Sequence, residues 1–169
     1  MTAEILVLFV LPALLALAAG WDIASYTIPN LLALAVMAAF LAFALAAGFS
    51  GAAFGAHAAA GIVGLAAGFA LFAAGVVGGG DAKLFAATAM WFGFGDMASY
   101  VLAASVLGGG LTLAILMLRR VPLPAALGRQ PWLARLHDSR AGIPYGAALA
   151  AGALMALPQS ELMHLAGIA

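Results

Sequence analysis

Long apolar runs alternate with short polar or glycine-rich breaks along the chain. Six runs stand out, at 4–21, 30–48, 55–77, 82–96, 98–118 and 141–158. The breaks read WDIASYTIPN, GFSGAAF, GGGD, GFGD and an arginine- and proline-rich stretch at 119–140. A helix crossing the hydrocarbon core takes about 20 mainly apolar residues, with a range of ~17–25. The run at 82–96 is short for this, since at 1.5 Å per residue it rises only about 22 Å. The pattern predicts an all-α, polytopic membrane protein with about six transmembrane helices. All of it, 1–169, forms a single domain with one sizeable loop at about 119–140.

Composition sharpens this reading. The 169 residues are 67% hydrophobic and 7% charged, where a soluble domain is about a quarter charged. Lipid is therefore the expected solvent. The absence of cysteine excludes disulfides, thiolate metal sites and a cysteine nucleophile. A net charge of +0 gives no reason to expect nucleic acid. The first segment lacks a basic n-region, so it is expected to stay as a span and not be cleaved.

Charge also orients the chain. Arg119, Arg120, Arg129, Arg135 and Arg140 lie between the fifth and sixth runs, and Lys83 lies at the start of the fourth. If six helices alternate, all six basic residues share one face, while Glu4, Asp96 and Glu161 fall on the other. The positive-inside rule makes the basic face cytoplasmic.

The pattern Gly-x-Gly-Asp occurs twice, at 78–81 and 93–96. Asp22 and Asp81 follow the first and third runs and belong to the basic face. Asp96 falls a membrane thickness away, so GFGD is expected to be a turn. Ionisable residues at membrane depth are costly and point to function. Two carboxylates about 4 Å apart repel by ~4 kcal/mol at an effective dielectric of 20. One is then expected to keep its proton, giving an acid and a base in one site, as peptide hydrolysis by activated water requires. The glycines around Asp81, Gly78 and Gly80 among them, are expected to allow unusual backbone angles and a close approach of substrate. The competing reading makes both acids loop residues at a membrane surface, with Lys83 neutralising Asp81.

The wider sequence favours the first reading. Asp22 is followed by IASYTIPNLLAL, Asp81 stands in GGGDAKLFAA, and residues 142–152 read GIPYGAALAAG. In order and spacing these segments resemble the prepilin peptidases, intramembrane aspartic proteases with a Gly-x-Gly-Asp signature. The likeness is to the short branch serving Flp-type pili. The resemblance implies catalytic roles for Asp22 and Asp81, with no metal and no cofactor. It implies prepilin or pilin-like substrates, cut at the cytoplasmic face of the bacterial inner membrane just before their hydrophobic segment. Longer members carry a cytoplasmic domain with paired Cys-x-x-Cys motifs and also N-methylate the new terminus. This chain has no cysteine, so methylation is not expected.

Other candidates carry two readings each. Pro29 and Asn30 suit a helix start, with a share in shaping the site. Pro144 and Tyr145 either place a kink and a hydroxyl near the acids or are a first-turn proline and an interfacial tyrosine. Lys83 either biases Asp81 towards ionisation or marks the inner face. GAAFG, GLAAG and GIPYG match the Gly-x-x-x-Gly packing pattern. His57, His137 and His164 are too scattered for a metal site. Met90 and Trp91 are expected in the core or against lipid. Residues 121–140 suit a short interfacial helix, with Leu127, Trp132, Leu133 and Leu136 against membrane lipids and arginines towards anionic headgroups; docking of a prepilin is the alternative. A homo-oligomer is left open. Two other classes compete: a small proton-coupled transporter or channel using Asp22 and Asp81, and a scaffold assembled through small-residue faces.

Overall fold

Helices make up nearly the whole of the computed structural model, which describes residues 1–124 and 127–168; Ala125, Ala126 and Ala169 of the expected single domain lie outside the described residues. In order they are α1 (Thr2–Ser25), α2 (Asn30–Ala46), α3 (Gly51–Ala73), α4 (Gly79–Leu118), α5 (Pro131–His137), α6 (Tyr145–Ala156) and α7 (Glu161–Leu165). No strand occurs among the described residues. Helices α1, α3 and α4 are long and apolar enough to cross a membrane, and α2 is a shorter apolar helix. The all-α membrane architecture expected from the hydrophobic runs is the one observed.

Local chemistry sets the helix ends. Gly48 and Gly75 take positive φ of 70° and 71°. The amides beyond them reach back, Phe49 N–H to Ala44 O at 2.9 Å and Val76 N–H to Leu71 O at 2.9 Å. These are glycine-dependent C-terminal caps. Ser50 Oγ accepts the Ala53 N–H at 3.1 Å and starts α3. Pro29 and Pro144 occupy the cap positions before α2 and α6, one residue earlier than the first-turn placement expected.

Helix α4 is two antiparallel limbs, 79–92 and 94–118. Gly93 interrupts it with φ 57° and ψ −171°. Thr88 Oγ1 and Tyr100 Oη then lie 2.7 Å apart, where twelve residues of straight helix would separate them by about 18 Å. Tyr100 also stacks on Phe92 and Phe85, at centroid distances of 4.9 and 5.8 Å. The break expected between the fourth and fifth runs falls at the first glycine of GFGD, and not beyond the motif.

Small residues align the remaining helices. A methyl at Gly68 would sit 3.0 Å from Ala82 Cα, and one at Gly64 would sit 2.9 Å from Ala89 Cβ. Helix α3 therefore runs antiparallel to the first limb of α4. Gly152 lies against Ala104, and Gly108 against Tyr145 and Ala148, which sets α6 antiparallel to the second limb. Of the three Gly-x-x-x-Gly matches, only GLAAG packs two helices through both glycines, since Gly51, Gly55 and Gly142 have no neighbour within 4 Å.

This topology gathers Asp22, Ile28, Asp81, Arg119 and Tyr145 at one end of the bundle. Gly93, Asp96 and Glu161 meet at the other. There, Phe43 and Trp91 stack at 5.2 Å, Phe40 and His57 stack at 5.6 Å, and Trp91 Nε1–H donates to Val36 O at 3.0 Å. Met90 and Trp91 are buried in this core. Among its described residues the segment 121–140 holds a short turn, Leu127–Arg129, and the short helix α5. Leu136 is buried, so this one of the four apolar residues faces protein and not lipid.

Candidate active site

Helix α1 runs one turn further than the hydrophobic pattern suggests, so Asp22 lies within its last turn instead of after it. That position places its carboxylate against the first turn of α6. Asp22 Oδ2 accepts the Ala147 N–H at 3.1 Å, one of the amides a helix start leaves without an internal partner. Asp81 is the third residue of α4. Its Oδ2 accepts the Gly78 N–H at 3.0 Å across the cap.

Tertiary packing brings the two acids together. Ile28 packs between them, against Gly80 next to Asp81 and against Gly146 next to Asp22, and the two carboxylates are near enough to interact electrostatically. Asp22 is 3% exposed and Asp81 8%, and no other carboxylate is buried among the described residues. No Lys, Arg or His lies within 4 Å of either, among the described residues. Removing an ionised group from water without a counter-charge costs several kcal/mol. A fold holding two such groups in one place does so against its own stability, the usual mark of a reaction centre.

Three glycines make this convergence possible through what they lack. A methyl at Gly146 would lie 2.5 Å from Ile28 Cδ1 and 2.9 Å from Asp22 Oδ2. One at Gly80 would lie 3.0 Å from the Ile28 amide, and one at Gly78 would lie 3.1 Å from Asp81 Oδ2. Gly78 has an ordinary extended backbone, φ −73° and ψ 153°. Its value to the site is close approach and not an unusual angle. Ile28, buried between Gly80 and Gly146, stands in a quoted segment of the sequence but has no role of its own there. Nor has the Ala147 amide, although a glycine just after a proline-capped helix start is the signal that could have found it.

Residues 9–113 match the type IV leader peptidase family. The chain belongs to that family. No curated protein and no solved structure matches it. The match makes this membrane protein a protease of the leader peptidase kind and includes both buried acids. The IPYG segment lies beyond the matched residues, so its place beside Asp22 comes from the structure alone.

The other candidates of this leader peptidase divide into two groups. Tyr145 borders an apolar cavity of about 180 Å³ that it shares with Asp81, Phe85, Val101, Ala104 and Leu149. Its hydroxyl accepts from Thr112 Oγ1 at 3.4 Å and makes no bond to either acid. Pro144 is fully buried beneath the site. Lys83 turns away from Asp81, two residues or about 200° around the helix, and donates to Asn30 Oδ1 at 2.8 Å. Pro29 lies between Ile28 and this pair. Arg119 ties down the approach to α6 by donating to Leu136 O, Ala141 O and Gly142 O at 2.8, 3.0 and 2.9 Å. Among the described residues no cluster of His, Asp or Glu could hold a metal ion.

Proposed function

We propose that this peptidase is an aspartic endopeptidase in which Asp22 and Asp81 activate water directly. The observation that carries the reading is the pair of buried carboxylates at one end of the bundle, with no cation within 4 Å of either among the described residues. With one proton between them, the ionised carboxylate takes a proton from water as its oxygen attacks the scissile carbonyl. The protonated one donates to the carbonyl oxygen. Collapse of the tetrahedral intermediate breaks the C–N bond; the proton taken from water passes to the leaving amine, and one hydroxyl of the intermediate returns its proton to the other carboxylate, which restores the pair. Gly78 and Ala147 N–H groups hold the carboxylates in place, and the cavity beside Asp81 gives a substrate chain room to lie close.

The substrates in this reading are prepilin-like proteins, Flp-type pilins among them, whose leaders are removed at the cytoplasmic face of the inner membrane. Six crossings support that orientation, counting α2, both limbs of α4 and α6 with α7 as spans. All six basic residues then fall on the side of the acids. Co-expression with a small pilin-like protein tests the proposal. The wild-type chain shifts its partner to lower mass, and Asp22→Asn and Asp81→Asn each leave it full length. Cleavage by either variant while it remains in the membrane would exclude the two-aspartate mechanism.

A further inference from the structure

We infer that the groove between α2, α3 and the first limb of α4 binds one anionic phospholipid, with its phosphate at Lys83 and Asn30. The groove has a volume of about 470 Å³, and apart from that polar pair its lining is apolar, including Leu34, Met37, Ile62 and Leu65. Lys83 is exposed at its mouth, and no carboxylate lies within 4 Å of its ammonium among the described residues. Asn30 Oδ1 accepts one ammonium hydrogen at 2.8 Å, which fixes the charge at the mouth and leaves other hydrogens for a ligand. One fixed cation above an apolar channel complements an anionic headgroup carrying an acyl chain.

Orientation favours a lipid over a substrate peptide. The groove is lined on α4 by Lys83, Ala86 and Met90, the face opposite Asp81, so a peptide lying in it would point away from the acids. Gly61 permits this shape, since a methyl there would collide with Met90 and push the back wall outwards.

The inference does not depend on the roles of Asp22 and Asp81. The full chain in mild detergent is titrated with phosphatidylglycerol or phosphatidylcholine, and bound lipid is counted by native mass spectrometry. One phosphatidylglycerol per chain is expected, held about fivefold more tightly than phosphatidylcholine, the preference that one lysine near a membrane surface provides. Lys83→Gln should abolish the preference and Lys83→Arg should keep it. Ala58→Phe, which fills the floor, should weaken both lipids, with circular dichroism and thermal unfolding reporting the fold of each variant. Equal binding of both lipids by the wild-type chain would overturn the inference, as would an undiminished preference in Lys83→Gln. A photoreactive group at Met37 that captures a pilin-like peptide in place of lipid would also overturn it.

Discussion

The two copies of Gly-x-Gly-Asp share four letters and little else. In the copy at 78–81, the first glycine has ordinary angles and its amide binds Asp81, which is buried and interacts electrostatically with Asp22. In the copy at 93–96, the first glycine takes φ 57° and reverses the chain. Asp96 Oδ2 accepts the Glu161 N–H at 2.8 Å and joins α7 to the second limb of α4. The first copy begins a helix and the second folds one back on itself. A four-residue pattern sets the local backbone options. What its aspartate faces is decided by helices far away in sequence.

The comparison breaks most decisively at the acids. Asp22→Asn or Asp81→Asn should lower prepilin processing at least ~100-fold, the smaller end of what a general acid or base contributes. Asp96→Asn should stay within about twofold, because an amide oxygen can still accept the Glu161 N–H. Electrophoretic size shift of a co-expressed substrate measures all three. A dead but membrane-inserted Asp96→Asn would make the copies functionally alike.

A second test asks whether the copies sit on opposite sides of the membrane. Gly128→Cys, at the end carrying the first copy, should resist an impermeant thiol reagent in intact cells and react after permeabilisation. Ser50→Cys, at the end carrying the second, should react from outside. The chain has no native cysteine, so background labelling is absent. Outside labelling at 128 would reverse the proposed orientation.

The third compares what each site tolerates in volume. Gly146→Ala should reduce processing at least ~10-fold, because the new methyl meets both Ile28 Cδ1 and Asp22 Oδ2 and a small displacement of catalytic groups is costly. Adding Ile28→Val should recover thermal stability without the rate, since the contact with the carboxylate persists. Gly95→Ala, whose methyl would lie 3.9 Å from its nearest neighbour, Glu161 Oε2, should be close to neutral in both measurements. Equal losses at 95 and 146 would remove the steric argument for the site.

A loss of stability with little loss of activity is expected at the reversal itself. Gly93→Ala puts a side chain into a backbone region reserved for glycine, and its methyl would lie 2.9 Å from the His57 ring. It should lower unfolding stability by about 1–3 kcal/mol, read by thermal unfolding. Protein that remains folded should keep most of its activity, because the reversal is at the far end of the bundle from the acids.

The hydrophobic runs alone specified the helices, because lipid leaves a backbone few alternatives to satisfying its own hydrogen bonds. They also specified the breaks, since Gly48, Gly75, Pro29 and Pro144 act through local angles and missing groups. They misjudged helix ends where polar residues continue a helix. Asp22 reads as a stop, but the Ala147 amide, 125 residues away, satisfies its carboxylate inside the helix. The charge pattern already put Asp22 and Asp81 at one end. It carried no information on the packing of Ile28 against Gly146, on the Ala147 amide or on the Lys83–Asn30 pair, because hydrogen bonds and steric limits between distant segments leave no periodicity in the chain. Which aspartates could meet was thus written in the order of apolar runs and charges. How they are held, and that Lys83 turns from them into a groove of its own, depended on which helix faces pack, a matter of glycine contacts at close range.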